Sequence, residues 1–153
     1  VSEPNYAGNI IVNLASLPDF LRRPILTKRL REFFTMSGGE RHEVISNALA
    51  AGPDIPFPNF ARLCKTWLEV LATFKEEERR TIFGAYVHEI SARPERIIRF
   101  NLDGILEVFM SLDSGQQETV GSAIRWAVES LDGPKKSLIL KLIPDNAKKA
   151  IGM

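Results

Sequence analysis

A register of 38 residues runs through the middle of this chain and constrains its fold more than any other feature. Leu26, Cys64 and Leu102 share one column of it. Leu30, Leu68 and Leu106 share the next, followed by Phe33, Leu71 and Phe109, then Met36, Phe74 and Leu112. Further on, Val44 aligns with Ile82 and Val120, and Ala48 with Tyr86 and Ile124. Ser46, Gly84 and Ser122 form a column of small residues. Within each copy the apolar steps are 4, 3 and 3 residues, then a break of 8, then 4. The first set draws one face of an amphipathic helix, and the second set draws the face of another.

The break holds Ser37-Gly38-Gly39-Glu40, Lys75-Glu76-Glu77-Glu78 and Asp113-Ser114-Gly115-Gln116. Ser37 and Asp113 can each accept from a free first-turn amide, and each has Glu or Gln three residues later. The carboxylates of Glu76 to Glu78 suit a helix start through the helix dipole. Each copy therefore predicts helix, tight turn, helix. A half-period of 19 maps Leu112 onto Leu131 and Val120 onto Ile139, so a last helix repeats the second-helix pattern. Gly52-Pro53-Asp54-Ile55-Pro56-Phe57-Pro58 cannot be helical throughout and marks an inter-repeat loop. The expected helices are 8–15, 18–35 with a kink near Pro24, 40–51, 59–73, 76–91, 95–111, 115–130, 134–142 and 145–151.

No stretch alternates apolar and polar residues as a strand would, so the expected class is all-α. The expected architecture is a right-handed α-α superhelix of about three hairpins of 38 residues with terminal capping helices. A compact multi-helix bundle is the alternative. One domain would cover 1–153, with an N-terminal extension or cap at 1–17, the hairpins at 18–143 and a C-terminal cap at 144–153. Over roughly 26–143 these hairpins, with Leu and Phe in the first helix and a small residue in the second, resemble HEAT or armadillo-type repeats. The turn column that holds Arg41 and Arg79 holds Gln117 in the third copy. The resemblance implies stacked hairpins that offer a surface to a partner.

Composition narrows the function classes. Twenty Lys and Arg against nineteen Asp and Glu leave a formal charge of +1, which excludes a supercharged nucleic-acid tail. The single cysteine, Cys64, allows no internal disulfide. No run of about 18 uncharged apolar residues exists, so no membrane span is expected. The apolar run from Ile10 to Ala15 is short and lacks a basic lead-in, unlike a signal peptide. The expected location is cytoplasmic.

The search for chemistry gives little. His42 and His88 are 46 apart, off the register, and no HExxH, CxxC or ExxH spacing occurs. No metal, cofactor or catalytic residue is expected. Cys64 falls in a column of leucines and reads as a small core residue. Glu69 and Glu107 share a column and read as an outer face.

The candidate binding surface is basic and aromatic. Arg22, Arg23, Lys28, Arg29 and Arg31 cluster in the first long helix, and a nucleic-acid surface would need them on one face with Arg62 and Arg99. Trp67 and Trp126 lie in mixed columns, at the core edge or against a partner. The leading expectation is a non-catalytic protein-binding or scaffold module with a protein partner. Nucleic-acid binding through the Arg/Lys face is the alternative, and a small-ligand or enzyme pocket holding His42 or His88 is the second. Self-association through apolar ends is a further expectation. If the Leu68 and Leu106 columns are core, Leu68→Ala and Leu106→Ala should each cost about 2–5 kcal/mol.

Overall fold

The computed structural model describes residues 6–153, with side chains described from Gly8 onward. Residues 1–5, which open the expected extension 1–17, lie outside the described residues. The helices are α1 (Tyr6–Ser16), α2 (Asp19–Thr35), α3 (Gly38–Ala51), α4 (Phe57–Ala72), α5 (Glu76–Ala92), α6 (Glu95–Ile98), α7 (Leu102–Met110), α8 (Ser114–Glu129), α9 (Gly133–Leu142) and α10 (Asp145–Ala150). A 3-10 turn, Gly52–Asp54, fills part of the proline-rich loop, and no strand occurs among the described residues. The fold is all-α.

The corner between paired helices is built the same way three times. Ser37, Lys75 and Asp113 each take an extended backbone just before a helix starts. Their amides donate to Glu40 Oε1 at 3.3 Å, Glu78 Oε1 at 3.1 Å and Gln116 Oε1 at 3.2 Å. Ser37 and Asp113 return the bond by accepting from the amides of Glu40 and Gln116. Lys75 cannot, because an ammonium has no lone pair to offer. The next residue clamps the corner from the other side. Arg41 donates to Phe33 O and Phe34 O, Arg79 to Leu71 O and Phe74 O, and Gln117 to Met110 O and Leu112 O. These carbonyls lie in or just past the last turn of the preceding helix, where the regular i+4 amide donors run out. Gln117 therefore does the work of the two arginines with a neutral amide.

Neighbouring hairpins stack through two layers. Helix α2 packs on α4 and α4 on α7, while α3 packs on α5 and α5 on α8. The outer elements depart from this order. Helix α1 lies against α3, α4 and α2, and α9 folds back onto α5 and α8. None of the residues in the six apolar columns is exposed, and Phe33, Leu71 and Phe109 are buried in all three copies. Leu68 is buried, but Leu106 is only half-buried and the adjacent Val108 takes an interior place.

The helix expected over 95–111 is two helices. Asn101 breaks it, because its side-chain oxygen accepts from the Gly104 amide at 2.9 Å and caps α7. A short polar side chain competes with the backbone for its own donors, so Asn favours a cap over a helix interior. Gly38 and Gly39, expected in the turn, lie in the first turn of α3. Helix α2 runs through Pro24 without ending.

Candidate interaction surface

Helix α2 carries five of the residues expected to form a binding surface, and it sorts them by rotation about its axis. Arg22, Leu26, Leu30 and Phe33 are its buried residues. Their spacing of 4, 4 and 3 is one helical face, so Arg22 points inward with the leucines. Arg22 is 2% exposed, and this corrects its assignment to an exposed surface. Its Nη1 donates to Leu17 O at 2.6 Å and its Nε to Thr66 Oγ1 at 3.1 Å. Its Nη2 pairs with the Asp19 carboxylate. A buried guanidinium needs such partners, and this set ties α2 to α4. Burial, and then the nearby charges of Arg62 and Arg23, lower the Arg22 pKa.

The remaining basic residues of the candidate surface are exposed, and several already have polar partners. Arg23 Nη2 reaches Glu69 Oε1 at 3.0 Å, and Arg29 Nη1 reaches Glu32 Oε2 at 3.0 Å. Arg62 pairs with the Asn59 side chain, and Arg99 Nη2 lies 3.2 Å from Asp54 Oδ1. Lys28 and Arg31 are exposed with no ion pair among the described residues.

The outward face of α2 is apolar in its first half. Phe20 is 76% exposed, Leu21 40% and Ile25 38%, with exposed Pro24 between them. Phe20, Pro24, Lys28 and Arg31 are spaced by 4, 4 and 3 residues and so share one stripe, opposite Leu26 and Leu30. Pro24 has no amide hydrogen, so the carbonyl of Phe20 loses its usual helical donor within this patch. The stripe thus runs from apolar to cationic. Sequence reasoning weighed the cations but missed Phe20, Leu21 and Ile25. Their position on the far side of the Leu26–Leu30–Phe33 stripe was the available signal.

The two tryptophans differ. Trp67 is half-buried and meets Phe83 and Tyr86 edge-on, with ring centres 5.5 and 5.6 Å apart. It closes the core edge between α4 and α5. Trp126 is 39% exposed, and the Arg80 guanidinium lies 4.9 Å from its ring centre. Arg80 Nη2 also reaches Glu76 Oε1 at 2.9 Å, so the ring is part of an α5–α8 surface contact.

Elsewhere, polar clusters tie helices together. Glu89 is buried in α5, with His42 Nδ1 3.4 Å from Oε2 and Arg96 Nη1 4.0 Å from Oε1. Arg96 Nη1 also donates to Ser46 O at 2.7 Å and Ser46 Oγ at 2.9 Å, so the group ties α3, α5 and α6. His42 is exposed and lines neither of two shallow cavities. One, of about 220 Å³, lies between Phe34, Arg41 and Glu78; the other, of about 300 Å³, between Gln117, Arg125 and Ile151. Burial pushes the Cys64 thiol up to about 12, which keeps it a thiol at neutral pH. No group of three or more His, Cys, Asp or Glu side chains placed to hold a metal occurs among the described residues. No helix among them is long and apolar enough to cross a membrane. No protein-family model, curated protein or solved structure matches this chain.

Proposed function

We propose that this protein is a non-catalytic protein-binding module, a stack of helical hairpins of the HEAT or armadillo kind that works in the cytoplasm. Its docking surface is the outward face of α2. The observation that carries this reading is the exposure of Phe20, Leu21 and Ile25 side by side on one helix. Large apolar side chains scattered singly need no explanation, whereas a contiguous set is a common mark of a protein contact. The nucleic-acid reading has less support, since Arg22 is interior and Arg23 and Arg29 are already paired with carboxylates.

The test compares the intact chain with Phe20→Glu in affinity capture from native lysate, with nuclease treatment and at two salt concentrations. The expected result is a nuclease-insensitive protein held by the parent chain and lost from the variant. A nuclease-sensitive, salt-labile capture that Phe20→Glu leaves unchanged would overturn the reading in favour of nucleic acid.

A further inference from the structure

We infer that the α2 face receives an acidic, amphipathic helical segment of a partner protein, with apolar side chains on Phe20, Leu21 and Ile25 and carboxylates on Lys28 and Arg31. This inference rests on the docking reading of the same face and adds the chemistry of the occupant.

Two features of the stripe select that chemistry. Its first half offers only apolar side chains, with Phe20 76% exposed, and a phosphate backbone would gain nothing there. Its second half offers Lys28 and Arg31, the exposed cations of α2 with no ion pair among the described residues. At about 1.5 Å per residue, Phe20 lies roughly 12 Å from Lys28 and 16 Å from Arg31 along the axis. A helix of about three turns spans that length, with its apolar residues at one end and Asp or Glu at the other.

Charge also argues against a second copy docking head-to-tail through its C-terminal end. Lys135, Lys136, Lys141, Lys148 and Lys149 make the C-terminal end basic, so it would meet the α2 cations with like charge.

The experiment pans a displayed library of random peptides of about 16 residues, long enough for three turns, on the full chain. Counter-screens use Phe20→Glu and the pair Lys28→Glu with Arg31→Glu, and folding of each is checked by helicity and melting. Phe20→Ala serves as the milder variant if Phe20→Glu is unfolded. Single-stranded DNA and phosphatidylserine vesicles are run as parallel probes. The expected outcome is enrichment of peptides with apolar residues three and four apart plus several Asp or Glu. Their affinity, read by fluorescence anisotropy, should fall about tenfold or more in each variant, as for a central interface contact.

Peptides lost with Phe20→Glu but without acidic excess would overturn the acidic partner and leave the docking face standing. Peptides kept by both variants, or no enrichment at all, would overturn both readings. Binding of DNA or vesicles that both variants abolish would give the face to that ligand. A dimer in sedimentation that Phe20→Glu dissolves would give it to a second copy. Either result would overturn the acidic-helix occupant.

Discussion

The two ends of the helical stack are finished differently. At the C-terminal end the chain folds over itself. Asp132 caps α9 by accepting from the Lys135 amide at 3.1 Å, and Ile139 is buried where α9 meets α5 and α8. Ile151 is buried beside Gly121, and Arg125 Nη1 donates to its carbonyl at 2.7 Å. Gly152 then takes a φ of 85°, a left-handed turn that glycine enters without steric cost. At the other end α2 packs on α4 and α1 and turns Phe20, Leu21 and Ile25 to the surface. Helix α1 covers part of the N-terminal end, and the outward face of α2 stays apolar beside it. The two ends therefore differ in how much apolar helix surface they leave to solvent: α9 and α10 pack over one, and Phe20, Leu21 and Ile25 stay exposed at the other.

The sharpest way to break this contrast is a truncation at each end. Ile139→Ala should cost about 2–5 kcal/mol, because it opens a cavity under α9. Chemical denaturation checks it, and a cost near zero would mean that α9 does not seal the stack.

Arg22→Ala tests the seam that holds α2 in place. It removes the hydrogen bonds from the guanidinium to Leu17 O and Thr66 Oγ1, together with the Asp19 ion pair. Asp19 is left unpaired but exposed to water, so no buried charge is stranded. The expected cost is about 2 kcal/mol, within the range for losing satisfied buried partners. Arg22→Lys should restore little of it, since an ammonium cannot reproduce the planar fork.

Much of this was legible in the sequence, for a physical reason. Apolar periodicity reports which face of a helix is covered, and none of the residues in the six repeated apolar columns is exposed. The corners were legible too, because caps depend on local chemistry at Ser37, Asp113 and their partners three residues on. Two kinds of information escaped. Arg22 was weighed by its charge rather than its register, although its spacing to Leu26, Leu30 and Phe33 puts it inside. The break at Asn101 escaped because it falls just before Leu102, the first column residue of the third copy, where the register carries no information. Of the candidate surface, Lys28 and Arg31 stand exposed as expected, Trp67 packs into the core edge, and the apolar half of the face was not anticipated.

Between the two ends, Cys64 and Tyr86 give a reference set by the shared interior. Burial raises the Cys64 thiol from 9.0 to about 12, and burial together with Cys64 raises the Tyr86 phenol above its ordinary value. Both groups are neutral when protonated. Above about pH 9 the unfolded chain loses the thiol proton while the folded chain keeps it, so stability should fall as pH rises through the interval from 9 to 12. Cys64→Ala should flatten the first part of that decline, measured as melting temperature against pH. The folded thiol should also resist a disulfide reagent at pH 8 and react once the chain is unfolded.

The smallest expected effect is the most informative for the open end. Phe20→Ala removes a side chain that is 76% exposed, so it leaves no cavity and strips little buried area. Substitutions at such positions change stability by about 0.5 kcal/mol or less. Alanine is also the better helix former, which favours a slight gain in stability. Set beside Ile139→Ala, an aromatic truncation at one end would then cost less than an aliphatic one at the other, the reverse of what side-chain size alone dictates. A loss of about 2 kcal/mol or more, as for a buried apolar residue, would mean that Phe20 is covered within the free protein. The face of α2 would then be part of the core rather than a place for a partner.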